Sequence, residues 1–435
     1  IKELKNYSKL LMKKIIKKKK YLIIFISILI FLTFIVKIID LNKAKLLIKK
    51  NIRAFIIDNK SNFEFKKTSS NKIINSEYNI TSYKNTYLKS MGPRAYFAKD
   101  DINLFLVTGT GHLMYMPIRH NNKNLSFKSI DTNFKNFANV KKNKSEIIVK
   151  DALIKDGKIY ISYIFKKNDE CFYNSILRGD LNTDKIKFDF FFNSDFCLNY
   201  NGYAVGGNLS DFKDNSIIIA IGDWSSYETF QTKHPQDLNN LIGKIISINT
   251  ITKKNNILSI GHRNQQGLFY DKENDIIFST EHGPMGGDEI NLNRTPDINN
   301  IKNFGWAVSS YGDHYTNLDQ EALYKVAPLN KSHIDYGFIE PLKWFTPALG
   351  ISQIIKTENL LKVDNKHVIY VGALGSDLKE GDLSIHQFIL NQKFEIENHI
   401  ILPIGERVRD IIYIEELNKI FTYLESSSSI AIIDN

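Results

Sequence analysis

The chain has 435 residues, of which 43% are hydrophobic, so it can bury a large core as one β domain or two smaller domains. Its formal net charge of +11 suggests nucleic-acid binding at first sight. Residues 1–20, however, hold nine lysines and one glutamate, which leaves about +3 on the other 415 residues. The basic residues therefore form a local arm, and we exclude nucleic acid as a partner of the folded part. The sequence has no Walker loop, HExxH or G-x-S-x-G motif, which argues against three common enzyme classes.

A continuous apolar segment follows the basic arm. Residues 21–39, YLIIFISILIFLTFIVKII, contain no Gly or Pro, and about 19 apolar residues suffice to span a bilayer. A cleaved signal peptide would have a shorter apolar core and small residues at its end, whereas this segment ends in Val-Lys-Ile-Ile. We therefore predict one uncleaved transmembrane signal anchor. Because the lysines of 1–20 stay cytoplasmic, the rest of the chain is expected on the periplasmic side of the cell inner membrane.

Residues 40–83 are rich in Lys, Asn, Ser and Ile and show little periodicity, which indicates a stalk or linker. The chain has two cysteines, Cys171 and Cys197, whose spacing is not that of a metal site. Outside the cytoplasm they can form a disulfide, and otherwise they are two small apolar residues. The sequence leaves both alternatives open.

From residue 84 onward, short alternating or β-branched runs recur, and each is followed by a turn and a second run. Six such pairs occur at intervals of about 50 to 60 residues, with one interval of about 90. The first runs are NLFLVTGTG from 103, KIYISY from 158, SIIIAIGD from 216, DIIFSTEHG from 275, HVIYVGALG from 367 and KIFTYLESS from 419. A β-sandwich does not need a six-fold repeat, and β-helix turns are much shorter. We therefore predict an all-β, six-bladed β-propeller over 84–435, with an insertion between 292 and 368.

Two polar turns flank the predicted strand near residue 276. GHRNQQG, residues 261–267, contains Arg263 and Asn264, and an arginine fork matches a carboxylate ligand. The alternative is a polar turn that bonds to neighbouring blades. EHGPMGGDE, residues 281–289, combines three carboxylates with glycines that let backbone carbonyls point inward, and such oxygen donors suit calcium. Because EF-hand spacing is missing, an acidic surface turn is the alternative.

Two further motifs carry arginines and aromatic residues. GERVRD, residues 405–410, places Arg407 and Arg409 two apart, so that on a strand both lie on one face and suit a multi-carboxylate ligand. The alternative is a solvated pair on a blade edge. KNFGWAVSSYGDHY, residues 302–315, holds Trp306, Tyr311 and Tyr315, which either sandwich a planar ligand or pack the domain.

In this order, GHRNQQG, EHGPMGGDEINL, NFGW and GERVRD resemble the glucose/sorbosone dehydrogenase family, over roughly residues 103–434. The family comprises PQQ-dependent soluble aldose sugar dehydrogenases, which are six-bladed propellers with this planar tricarboxylate quinone at the channel mouth. The resemblance implies that a histidine takes the sugar hydroxyl proton while hydride passes to the quinone. It also implies cofactor or substrate contacts for Arg263, Asn264, Tyr315, Arg407 and Arg409.

The resemblance further implies a calcium site. Its ligands would come from the carbonyls of Gly283 and Pro284, from Glu289 and from the position of Phe304. Phe304 stands where the family has a tyrosine, and its backbone carbonyl can still serve as the ligand.

The sequence departs from the family at three positions. The catalytic histidine aligns with Ala204 in NGYAVGGNLSDF, an expected glutamine aligns with Glu146, and an expected lysine aligns with Gly375. Alanine cannot accept a proton, and the neighbouring Tyr203 is a poor base because a tyrosine pKa is about 10. No catalytic residue is therefore assigned. Lys379 is a candidate replacement for the lysine.

Three functions remain open at this stage. The first is a membrane-tethered PQQ-dependent aldose sugar dehydrogenase with calcium, in which His234 replaces the missing base. The second is a non-catalytic propeller that binds a sugar, another small polar ligand or a protein partner. The third is an envelope scaffold without a small ligand. The joint loss of base, amide and amine favours the second function, and fold alone does not decide.

Overall fold

A computed structural model describes residues 60–119, 124–137, 148–168, 171–194, 196–197, 204–225, 233–315, 319–357, 359–360 and 365–435. The predicted basic arm, the predicted transmembrane segment at 21–39 and residues 40–59 of the predicted stalk lie outside these ranges. Within the described ranges, no helix has the length and apolar character needed to cross a membrane.

The described residues form 28 β-strands and one short α-helix, α1 (Gln320–Val326). In the first third the strands are β1 (Asn62–Lys72), β2 (Asn79–Lys84), β3 (Ala95–Lys99), β4 (Asn103–Thr108), β5 (Leu113–Pro117), β6 (Leu125–Ser129), β7 (Asp131–Thr132), β8 (Ile148–Lys155), β9 (Lys158–Asn168) and β10 (Cys171–Asp180). They continue with β11 (Lys185–Ile186), β12 (Asp189–Asn193), β13 (Gly206–Asp211), β14 (Ser216–Ile221), β15 (Lys244–Asn249), β16 (Asn255–Ile260), β17 (Gln265–Asp271), β18 (Ile276–Glu281) and β19 (Asp288–Arg294). The last are β20 (Lys302–Asn303), β21 (Lys343–Phe345), β22 (Ile351–Lys356), β23 (His367–Ala373), β24 (Ser384–Leu390), β25 (Ile396–Pro403), β26 (Val408–Ile414), β27 (Lys419–Leu424) and β28 (Ser429–Asp434).

Most strands pair with their neighbours in the chain. The four sheets in the middle of the chain have the orders β12-β10-β9-β8, β13-β14-β15-β16-β20, β17-β18-β19-β21 and β22-β23-β24-β25. A nine-stranded sheet, β26-β27-β28-β2-β1-β6-β5-β4-β3, joins the first and last strands, because β2 pairs antiparallel with β28. The strands β3, β8, β13, β17, β22 and β26 are neighbours in this cyclic order, and β26 lies next to β3. The predicted all-β, propeller-like fold is confirmed.

The hydrophobic core lies between adjacent sheets, and β14 shows how the sequence produces it. All five residues from Ile217 to Ile221 have 0% exposure. Ile217, Ile219 and Ile221 pack in one core, while Ile218 and Ala220 pack in the next. Since successive side chains of a strand point to opposite faces, a run of apolar residues without alternation serves two cores at once.

Part of the predicted stalk belongs to the folded unit. Residues 62–72 and 79–84 form β1 and β2, and the compact unit begins at Ser61 rather than at residue 84. Phe63 and Phe65 of β1 are fully buried, which shows that alternating apolar residues were present within the lysine-rich segment. The boundary between the predicted linker and the propeller was therefore wrong, because the exposed face of β1 dominates its composition.

The structure settles two points that the sequence left open. Cys171 and Cys197 form a disulfide, with their Cα atoms 4.8 Å apart. The long interval between two repeats holds β20, α1, a short 3-10 helix (Ile334–Tyr336) and β21, so the described part of the predicted insertion contains two helical segments. Asp319 caps α1 by accepting a hydrogen bond from the backbone N–H of Ala322 at 3.2 Å.

Candidate functional site

Side-chain hydrogen bonds tie neighbouring inner strands together. Asp151 Oδ2 of β8 accepts from the backbone N–H of Leu209 of β13 at 2.8 Å, and Asn208 Nδ2 of β13 donates to the Gln266 carbonyl of β17 at 2.9 Å. Arg409 Nη1 of β26 donates to Gln266 Oε1 at 3.1 Å. These bonds link four inner strands to one another, β8, β13, β17 and β26. Of these, β17 and β26 begin within the GHRNQQG and GERVRD motifs.

Three arginines surround Glu425, which follows β27. Arg409 Nε lies 2.5 Å from Glu425 Oε2, Arg407 Nη2 lies 3.4 Å from Oε1, and Arg94 Nε lies 3.9 Å from Oε2. Burial opposes ionisation of the Glu425 carboxyl, but the charges of Arg409, Arg94 and Arg407 outweigh it and lower the pKa of Glu425. The arginine pair of the GERVRD motif thus meets at one carboxylate, as expected of residues on one face of a strand.

Lys150 of β8 adds a fourth cation, which the sequence analysis missed. The residue is 9% exposed, and no hydrogen bond or ion pair joins its Nζ to another described residue. Burial, and then the charges of Arg94 and Arg409, hold the pKa of Lys150 well below its ordinary value. We call Arg94, Lys150, Arg407, Arg409 and Glu425 the cation cluster, and its positive charges exceed its one carboxylate.

Gly207 of β13 makes room for this lysine. A Cβ on Gly207 would lie 2.5 Å from the Cβ of Lys150 and 2.7 Å from its Cγ, which is too close for any larger residue. The φ of +111° at Gly207 also favours glycine. The lysine stem therefore packs against the beginning of β13, close in the chain to Ala204.

Gln265, the first residue of β17, is a second buried polar residue that lies against β13. It is 0% exposed, and neither its Oε1 nor its Nε2 has a hydrogen-bond partner among the described residues. A Cβ on Gly206 would lie 3.2 Å from Gln265 Oε1, so the amide faces the residue before Gly207. A buried amide without partners is costly, and two such polar groups next to consecutive glycines indicate a position for a ligand.

Arg263 cross-links the two polar turns. Its Nη1 donates to the His282 carbonyl at 2.7 Å and to the Gly283 carbonyl at 2.5 Å, while its backbone N–H donates to Glu281 Oε2 at 2.8 Å. The guanidinium carbon lies 5.3 Å from the centre of the Trp306 ring. The two turns lie side by side at the open end of the 265–281 hairpin, where Gln265 pairs with Glu281, and one buried cation holds them together.

A small cavity of about 10 Å³, which is room for about one water molecule, lies beside this guanidinium. It is lined by Arg263 together with three of the four predicted calcium ligands, Gly283, Glu289 and Phe304. Pro284 is buried but does not line the cavity. The structure thus brings most of the predicted metal-binding residues together with one of the predicted cofactor-binding residues.

The oxygen atoms of this loop already bond to protein donors. Glu289 Oε1 lies 3.2 Å from His333 Nε2, Asp288 accepts hydrogen bonds from three backbone N–H groups, and the Gly283 carbonyl accepts from Arg263. Among the described residues, no three His, Cys, Asp or Glu side chains are grouped for a metal ion. As these side chains stand, the donor set does not fit calcium, and the calcium site remains a prediction.

The other predicted cofactor-binding residues lie near the same turns. Asn264 Oδ1 accepts from Gln266 Nε2 at 2.9 Å, and Asn264 Nδ2 lies 3.5 Å from His282 Nδ1. Tyr315 packs against the small core that contains Trp306, whose ring also contacts Arg263. Arg263, Asn264 and Tyr315 are therefore grouped around the GHRNQQG turn, and Gln266 connects this group to Arg409.

The positions that depart from the family differ in the size of side chain that the surrounding structure accommodates. Ala204 is 4% exposed and its φ is +45°, so a small residue without a titratable group occupies this turn. A Cβ on Gly375 would lie 1.9 Å from Asp382 Oδ2, so no side chain fits there, and Lys379 is exposed. Glu146 and Tyr203 lie outside the described residues. The signal that could have found Lys150 is one lysine inside the apolar strand IIVKDALI.

Comparison with known proteins gives a family match over most of the chain. The model of the family described as Glucose / Sorbosone dehydrogenase matches residues 97–428. An uncharacterized protein of Synechocystis sp., slr1608, is 31% identical over 228 residues, which cover 48% of this chain and 51% of that protein. The aldose sugar dehydrogenase YliI of Escherichia coli is 27% identical over 225 residues, covering 48% of this chain and 54% of YliI. The chain thus spans about half the length of the curated relatives it matches.

Solved structures show the same fold. A crystal structure of a glucose dehydrogenase superposes with a TM-score of 0.61 at 19% identity, covering 78% of this chain and 96% of that one. The soluble aldose sugar dehydrogenase of Escherichia coli in its apo-form superposes with a TM-score of 0.59 at 19% identity, covering 78% and 95%. At this identity the likeness concerns the fold.

Proposed function

This chain belongs to the glucose/sorbosone dehydrogenase family, and from that premise we propose that it is a six-bladed propeller that binds PQQ in its channel without oxidising aldoses. The six-fold sequence repeat and the cyclic order of β3, β8, β13, β17, β22 and β26 support six blades around a central channel. In this arrangement the nine-stranded sheet contains two blades, and β1 connects them.

The residues present fit a small polycarboxylate. Arg94, Arg407 and Arg409 share one carboxylate, and Gln265 has no hydrogen-bond partner among the described residues although it is fully buried. Arginine forks bind carboxylates strongly, and PQQ carries three of them. When bound, PQQ supplies a quinone that can accept hydride. In this site Arg407 and Arg409 would hold its carboxylates, and Arg263 and Asn264 would contact the cofactor or the sugar.

The single observation that carries the absence of turnover is the residue at position 204. The side chain of Ala204 is buried at the beginning of β13, where the resemblance requires a general base, and it cannot take a proton. Residues that bind anions are retained while the proton acceptor is lost. This combination favours a pocket kept for recognition over a pocket kept for turnover.

The second candidate is an active aldose dehydrogenase with another base. The name of the matched Escherichia coli relative favours it. The candidate base is His234, whose backbone carbonyl accepts a hydrogen bond from Lys244 Nζ at 2.9 Å. Burial lowers the pKa of His234. An imidazole that stays neutral near pH 7 has the protonation state that a general base needs.

We also propose that the propeller is anchored by residues 21–39 and faces the periplasm. The predicted span, the lysines that precede it and the Cys171–Cys197 disulfide support this location, because disulfides persist in oxidising compartments. A sugar or another small polar molecule is the proposed further ligand, and a protein partner is the alternative.

The test is a titration of the full chain in detergent with PQQ, followed by addition of aldoses and a dye acceptor. We expect heat of binding and no dye reduction above a protein-free control. Dye reduction that is lost in His234→Gln would favour the second candidate. The absence of PQQ binding would overturn the proposed cofactor and leave a scaffold or a protein-binding propeller.

A further inference from the structure

The cation cluster contains one member that makes no bond to the part of the chain that the structure describes. Arg94, Arg407 and Arg409 all lie within 3.9 Å of Glu425, whereas the Lys150 Nζ has no hydrogen bond or ion pair to a described residue. A buried lysine normally pairs with a carboxylate or with carbonyls, because its desolvation is costly. Lys244 shows the ordinary arrangement in this chain, since its Nζ donates to three backbone carbonyls.

The nearby acidic residues do not serve as partners for Lys150. Asp151 binds the backbone N–H groups of Leu209 and Ala152, and Asp410 binds that of Phe97. Burial raises the pKa of both carboxyls, so each retains its proton more readily than an exposed aspartate. Among the described residues, Glu425 is the remaining acid near Lys150, and its oxygens are shared by the three arginines.

The position of the lysine also points to a ligand. Its stem packs on Gly207, and the Gln265 amide, which has no hydrogen-bond partner among the described residues, faces Gly206, so an amine and an amide approach consecutive residues at the beginning of β13. We propose that the Lys150 ammonium group binds a carboxylate of a small polycarboxylate ligand in the propeller channel, as a binding residue additional to Arg407 and Arg409. This proposal rests on the proposed function, and it gives β8 a direct role in ligand binding.

One consequence is a proton linkage. Without ligand, the buried position and the neighbouring arginines keep the pKa of Lys150 low. A carboxylate placed against the amine stabilises its charged form, so the pKa of Lys150 rises on binding, and the fraction of Lys150 that is neutral without ligand takes up a proton. The permanently charged arginines take up no proton, whereas the buried Asp151 and Asp410 can also contribute to uptake, so the lysine's share is the part of the uptake that is lost when Lys150 is replaced.

The test is isothermal titration of the full chain in detergent at pH about 8, in two buffers with different enthalpies of ionisation. The probes are PQQ and citrate, which is a tricarboxylate without a quinone. The variants are Lys150→Met, which keeps the stem, Lys150→Arg, which keeps a charge, and Lys158→Met, a control at the turn between β8 and β9. Thermal unfolding of each variant checks that the fold is intact.

We expect the wild type and Lys158→Met to bind PQQ with proton uptake. Lys150→Met should bind roughly 10- to 100-fold more weakly and with less proton uptake than the wild type, because one charge-assisted hydrogen bond is lost. Lys150→Arg should also bind with less proton uptake than the wild type. Equal affinity and equal uptake in folded Lys150→Met would overturn the role of Lys150 while the proposed function stands. Citrate binding that depends on Lys150, without PQQ binding, would support the role of Lys150 and overturn PQQ as the cofactor. Binding of neither probe by the wild type would overturn both.

Discussion

Arg263 Nη1 lies 2.5 Å from the carbonyl oxygen of Gly283, in the loop that sequence analysis assigned to calcium. The same nitrogen reaches the His282 carbonyl, so the guanidinium occupies backbone oxygens that a metal ion would need. A side chain of the GHRNQQG turn, residues 261–267, therefore bonds to the EHGPMGGDE turn, residues 281–289. Because a buried arginine is always charged, this cross-link does not depend on metal supply or on pH in the neutral range.

The first prediction concerns calcium. Addition of calcium or of a calcium chelator should leave the melting temperature of the wild type unchanged. Arg263→Met should destabilise the fold by roughly 3 kcal/mol, since two hydrogen bonds from a charged donor are lost and their acceptors stay buried. Urea unfolding measures the change, and Arg294→Met, at an exposed arginine, is the matched control. A rise in the wild-type melting temperature with micromolar calcium would contradict this account.

The second prediction concerns the support of the turn that carries Arg263. Lys244 Nζ donates to the carbonyls of His234, Pro235 and Ile242, and the Pro235 carbonyl also accepts from the backbone N–H of Gly261 at 3.0 Å. Burial lowers the pKa of Lys244 to about 7, so the amine is partly neutral at neutral pH. Lys244→Met should reduce the free energy of unfolding by about 3 kcal/mol, because three buried acceptors lose their donor.

The Lys244 variant also tests how far the effect reaches. If the 234–242 loop positions the GHRNQQG turn, PQQ affinity should fall in Lys244→Met, although Lys244 is not proposed to contact the ligand. Lys253→Met, at an exposed lysine on the turn after β15, should change neither quantity. Wild-type stability in Lys244→Met would show that the three carbonyls are satisfied in another way.

The third prediction concerns the disulfide. Cys171 and Cys197 close a loop of 26 residues, and removal of such a cross-link costs about 3 kcal/mol in the loop-entropy account. The Cys171→Ser/Cys197→Ser double variant should therefore unfold at lower urea than the wild type, and a reducing agent should destabilise the wild type alone. Thiol titration of denatured, unreduced protein purified from membranes should detect no free thiol. Two free thiols per chain would argue against the proposed periplasmic location.

How much could be predicted from sequence depends on the kind of information that each residue carries. The composition of Ile217 to Ile221 predicts a buried strand, which the structure confirms, whereas ligand binding at GERVRD and GHRNQQG stays a prediction from residue type. The predicted boundary between linker and propeller missed β1 because the seven residues of β1 that follow Phe65 are all exposed. Their polar composition outweighs the two buried phenylalanines, Phe63 and Phe65. Lys150 could not be assigned because the sequence does not show that it lies beside Arg94, Arg409 and Glu425, which only the three-dimensional arrangement reveals.

The fourth prediction concerns Gly375, which the sequence presents as a lost lysine. A Cβ at this position would lie 1.9 Å from Asp382 Oδ2, and Asp382 accepts from the backbone N–H groups of Ser376 and Asp377. Gly375→Lys should therefore destabilise the fold by several kcal/mol, on the order of other overpacked core substitutions, and should not raise affinity for PQQ. Ser376→Lys, at the adjacent exposed residue, is the control. Tighter PQQ binding by a stable Gly375→Lys variant would show that the loop can open and that the family position is still usable.

The last prediction uses the pH dependence of stability at the wall of the site. Asp223 Oδ2 accepts from Trp306 Nε1 at 2.6 Å, and burial, opposed in part by Arg263, raises the pKa of Asp223 to about 6. An aspartate in the unfolded chain has a pKa of about 3.9. The folded state therefore binds more protons than the unfolded state between these values, so Asp223 makes the fold less stable as pH rises from about 4 to about 6.

Asp223→Asn removes this titration while its amide oxygen can still accept from Trp306. The free energy of unfolding of wild type minus that of Asp223→Asn should fall as pH rises from 4 to 6 and stay level above 7. Urea unfolding followed by tryptophan fluorescence provides the measurement, because Trp306 is 4% exposed and becomes solvated on unfolding. Asp297→Asn, at an exposed aspartate, should show no such slope. A difference that rises with pH would mean that hydrogen bonds to the carboxylate outweigh its burial, and that Asp223 is ionised where it supports the ring of Trp306 and, through it, Arg263.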